Sequence, residues 1–198
     1  VPNKQVYFKK VPINDMEDIS ILKGKYFKFF MNSKVDTTVG FYGDINSVTV
    51  KEFNDKSFKK GNEPNFRYFE SDDAIIPYSL YDTILLTLYY NLQSTMEFFV
   101  NEAGLDLSKG IDGKPFGVMD ILFELDYVYF VTNEQTMKMK DNAMYYPPLN
   151  SLGFLKQDRL KHLELVANPM IVAHEFAHSI FAYLATDRYH NNEYIVSL

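Results

Sequence analysis

Two of the chain's four histidines stand in one short stretch, Val172-Ala-His-Glu-Phe-Ala-His-Ser-Ile-Phe181, with a glutamate directly after the first. On a helix, His174 and His178 lie on one face, a turn apart. Two neutral imidazoles at that spacing can each aim one nitrogen at the same tetrahedral Zn²⁺. Glu175 is rotated about 100° from His174 around the helix axis, beside the metal rather than on it. A carboxylate there can take a proton from a water that the metal has acidified. The spacing therefore predicts two zinc ligands, His174 and His178, and a general base, Glu175. The competing reading is a core helix whose histidines are satisfied by hydrogen bonds.

Such a helix must be started and held. Asn168-Pro169 reads as N-cap and first helical residue, so the helix is predicted from Pro169 to about Thr186. Met170, Ile171, Val172, Ala173, Phe176, Ala177, Ile180, Phe181 and Leu184 make it apolar on nearly every side, which predicts burial all round. A buried histidine pair with a glutamate needs a compensating partner, and a metal supplies one. The third ligand lies elsewhere. The positions where metzincins carry a third His and a Gly are Leu184 and Phe181, so that class is rejected. Asp187, Glu193 or a Glu beyond Leu198 are the options.

Upstream, residues 1 to about 70 read as strands separated by turn residues: Lys25–Met31, Thr37–Tyr42, Ile45–Phe53 and Phe66–Phe69. These predict an antiparallel N-terminal sheet. A long helix follows, with Pro77 at its start, Tyr81, Ile84, Leu85, Leu88, Leu92, Met96 and Phe99 at helical spacing, and Gly104 as its stop. Residues 105–140 read as loop plus strand, Tyr127–Val131 being the clearest strand. Asn142–Tyr146, ended by Pro147-Pro148, suits an edge strand. With no repeat, low-complexity tract or linker, the expectation is one α+β domain over 1–198, β-rich to residue 70 and carrying the helices after it.

Composition narrows the function. The net charge is −6 with no long Lys/Arg run, which argues against nucleic acid or an anionic membrane as partner. No cysteine is present, so thiolate catalysis, disulfides and iron–sulfur clusters are excluded. No apolar run reaches transmembrane length. The chain opens on Val1-Pro2 without an initiator Met or signal pattern, and reads as a processed form or a fragment.

The stretch Ile171-Val-Ala-His-Glu-Phe-Ala-His-Ser-Ile180 resembles the active-site helix of thermolysin-like zinc metallopeptidases, the gluzincins. Asn142-Ala143-Met144-Tyr145 is similar to the family's substrate-binding edge strand, and the order of elements also matches. The resemblance implies a zinc-dependent endopeptidase acting on peptides or proteins, of which residues 1–198 correspond to the N-terminal lobe without the C-terminal one. It implies that Asn142 and Ala143 bind the substrate backbone and that Tyr189 helps to stabilise the tetrahedral intermediate. Tyr183 is a second tyrosine at a family position. It implies a secreted or extracytoplasmic setting, and a C-terminal lobe or second chain that completes the site. The family's third ligand, a Glu in an Asn-Glu-Gly-like segment, has no counterpart here.

Other residues carry weaker signals. Asp72-Asp73, and Asp106 with Asp112, are conceivable Ca²⁺ ligands but read first as turn and cap carboxylates. His162 and His190 read as surface histidines. Ser179 faces away from His178 and is rejected as a nucleophile. The alternative function is a non-catalytic metal-binding or interaction domain of the same fold.

Overall fold

The computed structural model describes residues 16–35, 41–42, 58–71, 74–125, 128–131, 136–139, 141–146, 149–157 and 164–185. The expected strand Ile45–Phe53 lies outside them. In chain order the strands are β1 (Met16–Asp18), β2 (Lys23–Gly24), β3 (Phe27–Met31), β4 (Lys34–Val35), β5 (Phe41–Tyr42), β6 (Phe58–Lys59), β7 (Tyr68–Ser71) and β8 (Ala74–Pro77). Helix α1 (Leu80–Glu97) follows and runs on into a π-helical turn, Phe98–Glu102. Then come β9 (Met119–Leu125), β10 (Val128–Val131), β11 (Thr136–Met139), β12 (Ala143–Tyr146) and β13 (Ser151–Leu155), and finally α2 (Pro169–Ala185). The fold is α+β.

A four-stranded sheet in the order β12-β13-β9-β3 carries the two helices. β3 and β13 both pair parallel with β9, and β12 closes the far edge antiparallel to β13. The expected antiparallel N-terminal sheet is therefore corrected. Among the described residues, the N-terminal antiparallel pairings are three two-stranded units, β1/β2, β4/β6 and β7/β8. The aromatic strand β3 instead joins the main sheet. Its alternation explains why: Phe27, Phe29 and Met31 are buried toward the helices, while Lys28 and Phe30 face the other way.

β9, the sheet's second strand from that edge, was not anticipated. In Met119-Asp-Ile-Leu-Phe-Glu-Leu125, Met119, Ile121 and Phe123 are buried, Asp120 and Glu124 are half-buried, and Leu122 is a buried apolar residue between them. Met119, Ile121 and Phe123 join the core under the helices. Leu122, Leu125, Met144, Tyr146 and Leu155 are buried as well but stand apart from that core.

Helix α1 begins at Ser79 rather than Pro77, which ends β8. Ser79 is extended, and its Oγ accepts from Asp82 N–H at 3.1 Å while donating to the Asp82 carboxylate, a reciprocal cap. Gly104 sits at φ 70°, the left-handed backbone that ends the helical run. Tyr89 of α1 packs edge-on against Phe27 of β3, and Phe27 in turn meets Phe176 of α2, so sheet and both helices share one aromatic cluster.

One polar contact inside this core fixes the approach to α2. Asn91, buried on α1, donates through Nδ2 to the carbonyl oxygen of Val166 at 2.8 Å, in the short 3₁₀ turn before α2. Asn91→Leu leaves that carbonyl without its donor, and should cost about 1–3 kcal/mol. Urea denaturation measures this; a midpoint unchanged from the wild type would mean that the bond holds nothing.

Candidate metal centre

The stretch that carries the candidate metal ligands is helical throughout. Asn168 Oδ1 accepts from Met170 N–H at 2.9 Å, and Pro169 occupies the first helical position, where a missing N–H costs nothing. Phe176, fully buried, contacts Phe27, Phe99 and Phe116, with ring centroids 5.9–6.1 Å away. At the far end Ile111 N–H donates to Tyr183 O at 2.9 Å, capping a carbonyl that the helix itself leaves open. Tyr183 Oη donates to Asp106 O at 3.0 Å. Gly110 lies flat against the Tyr183 ring, where a Cβ would come within 2.6 Å of its carbons. The sequence marked Tyr183 only as a tyrosine at a family position; its ring and hydroxyl instead tie the 104–118 loop to the helix.

Between these anchors, His174, Glu175 and His178 bring three ligand atoms within 4.8 Å of one another. The two histidine Nε2 atoms are 3.1 Å apart, their rings nearly perpendicular at 86°. Two nitrogens bound tetrahedrally to zinc at 2.0–2.1 Å would be separated by about 3.3 Å. The imidazoles thus already stand within a few tenths of an ångström of that spacing. A single proton can bridge them, one nitrogen donating and the other accepting, and a cation can take the place of that proton.

Glu175 completes the electrostatics. It has no exposed surface, and neither carboxylate oxygen has a hydrogen-bond partner. Burial pushes its carboxyl up to about 7 from an ordinary value of 4.5. Burial also lowers His178, with the neighbouring His174 adding to the effect. The centre disfavours its own charged forms, and a divalent ion relieves both penalties: it accepts the imidazole lone pairs and attracts the orphaned carboxylate. By chemistry and placement the residues fit a metal.

Helix α2 is not buried all round. Met170, Phe181 and Leu184 are 75%, 62% and 53% exposed, in line with exposed His174 and Ala177. The sequence misled here because the exposed face is apolar too. Glu175, the helix's one charged residue, lies on the buried side.

Asn142 and Ala143 lie at the start of β12, the sheet's edge strand, against which α2 packs. Asn142 O accepts from Leu155 N–H of β13 at 3.0 Å, so antiparallel alternation turns the Ala143 and Tyr145 backbone groups to the outer side. The Asn142 side chain folds back, Oδ1 accepting from Ala143 N–H at 2.9 Å, and Ala143 is buried. Asp106 and Asp112 each bond a backbone N–H two residues on, at 2.8 and 3.0 Å, as turn carboxylates do. Ser179 Oγ donates to Phe176 O within the helix. Tyr189, Asp187, Glu193, His162, His190 and Asp72-Asp73 lie outside the described residues. No helix among the described residues is long and apolar enough to cross a membrane. No family model, curated protein or solved structure matches the chain, so the centre is read from its own geometry.

The raised Glu175 carboxyl has a testable sign. Between pH 4.5 and 7 the unfolded chain releases this proton while the folded chain keeps it, so metal-free stability falls as pH rises through that window. His178, lowered, works the opposite way and loses stability as pH falls below 6.5. Comparison with Glu175→Gln cancels the histidine. In chelator, the variant should gain about 2–3 kcal/mol on the wild type between pH 4.5 and 8, by denaturant titration. A difference flat across that range would show that the carboxylate is not buried unpaired.

Proposed function

We propose that these residues form the metal-binding part of a thermolysin-like zinc-dependent endopeptidase. The observation that carries the reading is the pair of imidazole nitrogens 3.1 Å apart beside a buried carboxylate with no partner. His174 and His178 would hold Zn²⁺, which when bound supplies Lewis acidity toward a water and a peptide carbonyl. Glu175 accepts the proton of the attacking water and passes it to the departing amine, so that water and amide become carboxylic acid and amine. A carboxyl raised to about 7 by burial suits a group that must both take and return a proton near neutral pH. Asn142 and Ala143 align the substrate backbone along the outer side of β12, as an added strand. Tyr189 donates a hydrogen bond to the developing oxyanion. Asp187 or Glu193 are the third-ligand candidates within the chain.

The exposed, charge-free face of α2 favours a second reading, a metal-binding interaction module without catalysis. Glu175→Gln separates the two, because the change keeps shape and both imidazoles while removing the base. A peptidase should retain zinc and lose at least about 100-fold in kcat on a peptide substrate. Retention of full hydrolysis in this variant would remove Glu175 from the mechanism; no hydrolysis by the wild type, with zinc bound, would favour the interaction module.

A further inference from the structure

The metal pair sits on the exposed side of a helix that has no charge there. Met170, His174, Ala177, Phe181 and Leu184 follow one another at alternating four- and three-residue steps, the spacing of a helix-pairing seam. Met170, Phe181 and Leu184 are each more than half exposed. In a chain of net charge −6, two copies repel one another generally, but this face brings no like charges together. Among the described residues, the only cluster able to hold a metal is His174, Glu175 and His178, and Glu175 lies on the buried side. Two imidazoles leave a tetrahedral ion two ligands short.

We propose that a second copy of this chain supplies them: Zn²⁺ joins two α2 helices through His174 and His178 of each. With the helices antiparallel about a twofold axis between the histidines, His174 meets the partner's His178 and Met170 meets the partner's Phe181. Ala177, small and exposed, lets the backbones approach. Four imidazole nitrogens then complete the tetrahedron. The pairing covers the face through which a peptide would reach the metal, so the dimer is a closed form of the same centre. This inference rests on the metal reading of His174 and His178 and not on catalysis.

The test is zinc titration of the chelator-stripped 198-residue chain, followed by native mass spectrometry and light scattering. The expected result is a twofold rise in mass that saturates at one zinc per two chains. Phe181→Glu, which puts two carboxylates into the seam, should stay monomeric while still taking up zinc, and Leu184→Lys should behave likewise. A wild type that remains monomeric at one zinc per chain would overturn the shared site but leave the metal centre standing. A dimer that persists in chelator would also overturn it, since the metal would then not be the bridge. Absence of zinc uptake by the wild type would overturn both the shared site and the metal reading beneath it.

Discussion

The desolvated carboxylate of Glu175 is the constraint on which the rest of the centre turns. An ionised carboxylate without hydrogen bonds is among the costliest groups to bury. Here both oxygens are out of solvent and unpaired, one helical position from an exposed imidazole and three from a second. The protein either holds a proton on this group or holds a cation close to it. Everything around Glu175 serves to keep it there: the helix cannot rotate it into water without also pulling Val172, Phe176, Ser179 and Tyr183 out of the core.

That rotation is blocked at three points along α2. At the start, Asn168 caps the helix and Asn91 grips the turn before it. At the middle, Phe176 is packed among rings from β3, from the π-helical turn after α1 and from the loop that follows. At the end, Tyr183 is held through its ring, hydroxyl and carbonyl by residues 106–111. A helix so pinned holds its two imidazoles close to the separation that a tetrahedral metal would need, which would lower the conformational entropy lost if one binds. The sheet beneath contributes rigidity because β9 is hydrogen-bonded on both sides to parallel neighbours and buries Met119, Ile121 and Phe123 in the core.

Much of this centre was legible in the chain because it is local. Asn168-Pro169 and the one-turn spacing of His174 and His178 depend on neighbours along a single helix, and helix geometry alone brings the two imidazoles to one face. The long helix α1 was legible for the same reason, although Ser79 with its Asp82 partner, not Pro77, sets its start. What escaped depends on tertiary contacts. β13 is buried at every position, so it lacks the alternation of a half-exposed strand; β9 alternates around Asp120 and Glu124, and only its parallel partners β3 and β13 make it the sheet's inner strand. The exposed side of α2 escaped because Met170, Ala177, Phe181 and Leu184 carry the same apolar chemistry as the buried side. Tyr183 escaped because hydrogen bonding to a loop nearly eighty residues earlier leaves no local mark.

The central claim is that His174 and His178 bind one metal through their Nε2 atoms. X-ray absorption at the zinc edge of the zinc-loaded protein tests it most directly. The account predicts at least two imidazole nitrogens at about 2.0–2.1 Å, with the outer-shell scattering of intact rings, and loss of that scattering in His174→Ala,His178→Ala. A shell of oxygens alone, or a spectrum that the double substitution leaves unchanged, would contradict it.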